Sequence, residues 1–231
     1  MKVTPSEAPG VEIYAPDSPE FEAALPGILG TGPEELLRPA LPYSVILGNS
    51  GKRTIAFFGV RFDMLGPMAK QYSVVHYADT LRNPAKADFQ PGSKRFVCAE
   101  PEYTSLVIRG NTAPESRGRA NLSNLRRMLG IRGSIDCVAF EDGQFAGPDS
   151  RDAFGRLAQE RDVESELVAR VLSLGERPWE LERFLCEAVE DADQRARRSA
   201  ARRLLEGWRQ GGATEALERA RNWHYRIPLW R

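Results

Sequence analysis

Cysteine and histidine are scarce in this 231-residue chain, with 3 and 2 residues respectively, and their scarcity closes several routes to function. Cys98, Cys137 and Cys186 are odd in number and far apart, so they build neither a disulfide framework nor a Cys-x-x-Cys zinc half-site. Reduced, buried thiols are the expectation. In an exported chain, Cys98 and Cys137 facing one another across a β-core is the alternative. His76 and His224 have no second histidine or cysteine at ligand spacing, so no metal and no cofactor is expected.

Net charge is also missing. The 32 basic residues cancel the 32 acidic ones, so no whole-molecule field draws the chain to nucleic acid or an anionic membrane. No apolar run approaches the ~18 residues of a membrane span. Residues 1–10 lack the apolar stretch of a signal peptide. A cytoplasmic protein without a membrane span is expected, a removed export signal being the alternative.

Nucleotide and catalytic motifs are absent too. Gly27-Ile28-Leu29-Gly30-Thr31-Gly32 has neither the spacing nor the context of a dinucleotide fingerprint, and no Walker A sequence occurs. Gly48-Asn49-Ser50-Gly51 looks like the nucleophile segment of trypsin-like serine proteases. That family places its histidine and aspartate before the serine, whereas both histidines here follow Ser50, which reads as a turn residue. The stretch from Asp142 to Asp149 sets two carboxylates around glycines but lacks the alternating ligands of a calcium loop; a hairpin followed by a helix cap explains it. No catalytic residue is assigned.

What is present divides the chain near residue 149. All but 7 of the glycines and prolines precede residue 150, and such punctuation favours short strands and turns. Seven runs read as strands: residues 11–14, 43–47, 54–62, 72–77, 95–99, 104–109 and 134–140. His76 falls in one of them as a strand side chain. Asn49-Ser50-Gly51-Lys52 and Asp142-Gly143 read as hairpin turns, the latter as a two-residue type I′ turn. No helical period alternates with these strands, which argues against a βαβ arrangement.

Beyond Gly147-Pro148-Asp149-Ser150 the period becomes helical. Phe154, Leu157, Val168, Val171 and Leu172 mark one helix ended by Gly175, and Pro178 opens a second with Leu181, Phe184, Leu185 and Ala188 on its buried stripe. Ala200, Leu204, Leu205 and Trp208 extend the period to Gly211-Gly212, and a short helix follows from about Thr214 to Asn222.

Charge reverses within these helices. Residues 160–193 carry a balance of −7 and residues 194–231 one of +7. The two stretches either neutralise one another as solvated pairs, or Arg195, Arg197, Arg198, Arg202, Arg203 and Arg209 form an exposed basic face. Arg195, Arg198 and Arg202 follow i, i+3, i+7 spacing and share one side of a helix. Few aromatics interleave, so nucleic acid is a minor reading. The C-terminal Trp223, Tyr225 and Trp230 make a tail too apolar for a disordered end, and either pack on the chain's own fold or anchor an interface.

Leu41-Pro42-Tyr43-Ser44-Val45-Ile46-Leu47, the run through Val60-Arg61-Phe62, and the string from Ser134 through Phe140-Glu141-Asp142-Gly143-Gln144-Phe145-Ala146-Gly147-Pro148-Asp149 resemble an uncharacterised group of bacterial proteins. The resemblance implies an immunoglobulin-like β-domain joined to a helical extension. It implies no activity, and Cys137 departs from the small residue of that group.

The expected fold is therefore α+β: an antiparallel, immunoglobulin-like β-sandwich over residues 8–149, followed by helices and an aromatic tail over 150–231. The expected function is a non-enzymatic interaction module that binds a protein partner or a second copy through Arg195, Arg198, Arg202, Trp223, Tyr225 and Trp230. The alternatives are an enzyme of unrecognised type with Asp136 and Asp149 as participants, and a regulatory nucleic-acid binder using the arginine face.

Overall fold

Of residues 54–62, rich in Ile, Phe and Val, all but the first lie in β4 (Ile55–Leu65), in a computed structural model that describes residues 1–29, 34–79, 89–109, 116–175, 177–191 and 195–223. The chain forms two compact units that divide at Arg151 and Asp152.

In the first unit β4 pairs antiparallel with β5 (Gln71–Asp79) on one side and β7 (Gly130–Phe140) on the other. The far edge of β7 carries β1 (Lys2–Val3) in parallel and β8 (Phe145–Ala146) antiparallel. A second, antiparallel sheet has the order β2 (Val11–Tyr14), β3 (Ser44–Asn49), β6 (Lys94–Cys98). One core serves both sheets, with Val45, Ile46 and Leu47 of β3 and Val60 and Phe62 of β4 fully buried.

Helices punctuate these strands, against the expectation that none would. They are α1 (Pro19–Leu29), the single turn α2 (Glu34–Leu37), α3 (Pro101–Arg109) and α4 (Ser116–Leu125). Ser18 caps α1 through its Oγ, which accepts the Phe21 N–H at 3.2 Å, and Phe21 and Ala24 face the core. The run 104–109, read as a strand, is helical. Pro101 supplies the fixed φ of a first helical turn, and Tyr103 and Val107, four apart, both pack on the core. Tertiary contact thus overrides the β preference of Thr104, Val107 and Ile108. With these helices and the parallel β1–β7 pair, the unit is α+β with mixed sheets rather than an all-antiparallel assembly.

Both expected hairpins differ from the reading. The segment after Asn49 passes from the three-stranded to the five-stranded sheet, because β3 and β4 do not pair. The β7–β8 turn is a hairpin, but a three-residue one: Gly143 donates to the Phe140 carbonyl at 3.0 Å and takes φ +81°.

The second unit holds α5 (Ala153–Leu174), α6 (Pro178–Glu190) and α7 (Arg195–Arg221). Asp152 caps α5 by accepting the Gly155 N–H at 3.2 Å, and Gly175 ends it at φ +56°. Leu167, Val171, Leu181, Leu185, Leu204 and Leu217 form its core. Gly211 and Gly212 break α7, so the restart expected near Thr214 is present.

Candidate functional site

The arginines of α7 sort into two sets. Arg197 reaches Asp191 at 3.7 Å and lies near the Phe184 ring, Arg203 reaches Glu164 at 3.7 Å, and Arg219 reaches Glu215 at 2.8 Å. The inclusion of Arg197 and Arg203 in one exposed basic face is thereby corrected: both are half-buried and spent on acids of their own unit. Arg195 and Arg202 are exposed and Arg198 is half-buried, and none of the three takes part in an ion pair among the described residues. Trp223 is half-buried against the helical core, with the Arg203 guanidinium 4.2 Å above its ring. Tyr225 and Trp230 lie outside the described residues.

A second grouping joins Cys137 to Asp136 and Asp149, the two carboxylates that the sequence offers together. Successive side chains of a regular strand point to opposite faces. Yet ligand atoms of Asp136, Cys137 and Asp149 all lie within 4.8 Å of one another. The reason is a register shift: Cys137 pairs with Gly59 and Ile135 with Val60, so Asp136 has no partner on β4 and bulges. Asp136 is fully buried. Its Oδ1 accepts the Ser150 N–H at 3.2 Å and its main-chain carbonyl accepts the Asp149 N–H at 2.9 Å, while its Oδ2 has no hydrogen-bond partner. The returning loop comes close because Gly147, at φ +107°, has no Cβ to strike the Asp136 carbonyl. Gly59 makes the equivalent room for the Cys137 sulfur. Cys98 and Cys137 are both buried and not disulfide-bonded.

A third feature went unnoticed in the sequence. Leu65, Met68, Tyr72 and Leu129 are 38%, 84%, 47% and 70% exposed, and all four stand at one end of the β4–β5 ribbon. Leu129 donates its N–H to the Leu65 carbonyl, and Gly66 to that of Lys70, each at 2.7 Å. Met68 and Ala69 take φ +58° and +57°, a left-handed turn made without glycine. Lys70, Arg126 and Arg127 are exposed on the same two loops. The available signal was Pro67-Met68-Ala69-Lys70: an apolar residue where a polar turn former is usual.

Burial shifts three further titratable groups of the first unit toward their neutral forms. Burial pushes the Cys98 thiol up to about 11 and lowers the pKa of His76, whose Nε2 lies 2.8 Å from the Ala99 carbonyl. Desolvation raises Glu100, which a hydrogen bond from Asn121 partly offsets. A thiol pushed up by burial lacks the lowered pKa that activates a nucleophilic cysteine. Among the described residues, no helix is long and apolar enough to cross a membrane. No protein-family model, curated protein or solved structure matches the chain, so the resemblance carried by residues 134–149 brings no function with it.

Proposed function

We propose that the chain is a non-enzymatic interaction module that holds a protein partner through the apolar tip of the β4–β5 ribbon. The observation that carries this reading is the joint exposure of Leu65, Met68, Tyr72 and Leu129 at the end of β4 and β5 and on the two loops hydrogen-bonded there. Large apolar side chains exposed together at one end of a ribbon cost solubility unless something covers them. Methionine adapts its shape to a partner, and tyrosine combines a large apolar area with a polar end. The adjoining Lys70, Arg126 and Arg127 favour an apolar surface flanked by carboxylates. Three cations fall short of the roughly four to eight that mark recognition of anionic lipid.

The reading does not depend on the immunoglobulin-like sandwich that the resemblance implies, because the tip is fixed by β4, β5 and β7 alone. A cytoplasmic location, in which Cys137 stays a thiol, belongs to the same reading. A second contact surface is favoured by one specific observation: Arg195, Arg198 and Arg202 remain outside the ion pairs that consume their neighbours. They suit an acidic protein segment, with binding that weakens steeply as salt rises.

The test is photo-crosslinking from a residue-69 probe on the full chain in native lysate, beside a Met68→Ser/Leu129→Ser variant and an Arg195→Glu/Arg202→Glu variant. Loss of a nuclease-resistant protein adduct in the first variant supports the tip, and its loss only in the second moves the surface to α7. An adduct to the chain itself, with a sedimentation shift that Met68→Ser/Leu129→Ser abolishes, identifies a second copy as the partner. Flotation with vesicles of anionic lipid, or an adduct that both variants retain, overturns the reading.

A further inference from the structure

We propose that Asp136, Cys137 and Asp149 bind a zinc ion at the bulge of β7. The acidic cluster alone would be an ordinary surface feature, but Asp136 is not at the surface. It is fully buried with its Oδ2 unpartnered, in the grouping whose other ligand atoms lie within 4.8 Å. Leaving a buried acceptor without a donor is destabilising, and more so for a charged group. Something that meets this oxygen is therefore stabilising.

The donor set chooses among cations. One sulfur and two carboxylate oxygens form a mixed set that is too soft for calcium or magnesium, which take oxygen ligands. Zinc accepts Cys and Asp together in a tetrahedron. Three protein ligands leave its fourth position open. Asp149 is the half-buried member, so that position lies toward water on its side. Zinc–sulfur and zinc–oxygen bonds of about 2.3 and 2.0 Å place tetrahedral ligands about 3.5 Å apart. Spacings within 4.8 Å therefore contract by at most about 1.3 Å when the site closes.

The frame around the cluster is rigid where a metal site needs it to be. The bulge turns two neighbours in sequence toward one point. The loop that brings Asp149 is tied to Asp136 twice, through the N–H groups of Asp149 and Ser150. Arg151, next in the chain, donates to the Ser73 carbonyl of β5 at 3.2 Å. A proton shared between the two carboxylates would also meet Asp136 Oδ2, but it has no use for the sulfur. On binding, the Cys137 thiol gives its proton to solvent as the sulfur–metal bond forms, so affinity rises with pH.

The experiment uses the full chain carrying Cys186→Ser, which removes the exposed thiol. After chelator treatment the protein is titrated with Co2+ and back-titrated with Zn2+. The proposal expects one equivalent of Co2+, a near-ultraviolet sulfur-to-cobalt band, and displacement by Zn2+ but not by Ca2+. Cys137→Ser abolishes the band. Asp149→Asn, at a half-buried position that keeps the fold, weakens Co2+ binding by at least about tenfold. Absence of the band at saturating Co2+, its survival in Cys137→Ser, or unchanged affinity in Asp149→Asn overturns the site and leaves the shared proton as the account of Asp136.

Discussion

Gly147 lies so close above Asp136 that a Cβ on it would stand 2.6 Å from the Asp136 carbonyl oxygen and 3.0 Å from the Cys137 Cα. Both obstacles are backbone, and Cys137 is held by its pairing with Gly59 of β4, so neither gives way as a flexible side chain would. The glycine also sits at φ +107°, where an L side chain is strained regardless of space. Gly147→Ala is expected to lower stability by about 2–3 kcal/mol. Urea unfolding compared with Gly130→Ala, where a Cβ meets nothing within 4 Å, checks the figure.

Asn49 fastens three segments at once. Its Nδ2 donates to the Arg53 and Phe89 carbonyls at 2.8 and 2.9 Å, and its Oδ1 accepts the Gly51 N–H at 3.2 Å. The side chain is 1% exposed, so water cannot replace it without opening the structure. Asn49→Ala should cost about 2–3 kcal/mol through the polar groups it strands, while Ser50→Ala next to it stays within about 0.5 kcal/mol. Denaturant midpoints for the two variants decide between this and a merely local turn.

These residues also show how far the sequence could be read. Val, Ile and Phe in short runs between Gly and Pro located β3, β4, β6 and β7, because strand preference and burial agree there. The run after Pro101 misled, since helix formation there depends on Tyr103 and Val107 meeting the core, which no local pattern reports. Asp136 and Asp149 stand out in the sequence as acidic candidates for an enzyme, but the meeting of Asp136 with Cys137 rests on a register shift against Gly59 and Val60. Register is a property of two strands together. The exposed tip stayed hidden for a similar reason: Leu65 and Leu129 look like any buried leucines until the β4 and β7 ends are paired.

His76 makes stability depend on pH. Burial lowers its folded-state pKa below the ordinary 6.5, so the unfolded chain takes up a proton at a pH where the folded one does not. Its contribution is fully present above about pH 6.5 and declines as pH falls from there toward the folded pKa, by at most about 1.4 kcal/mol per unit. Equilibrium unfolding at pH 7.5 and pH 5.5 should show the decline. A His76→Gln variant that declines equally would assign the effect to other groups.

Arg203 is the test of how the helical unit uses its charges. Its guanidinium stands 3.7 Å from Glu164, whose side chain is 10% exposed, and 4.2 Å above the Trp223 ring. Removing it leaves a nearly buried carboxylate without this cation and an indole without its cover. Because Arg203 itself is 42% exposed, solvent screens part of the interaction, and the loss falls below that of a fully buried pair. Arg203→Ala is expected to destabilise α5 and α7 by about 1–3 kcal/mol. Arg202→Ala, exposed and outside every ion pair among the described residues, should change stability by no more than about 0.5 kcal/mol. Adding Glu164→Gln to Arg203→Ala should recover part of the loss, since a neutral amide costs less to bury than a carboxylate deprived of this cation. Helical circular dichroism against urea measures all three; equal losses for Arg202→Ala and Arg203→Ala would show that the two sets of arginines do not differ.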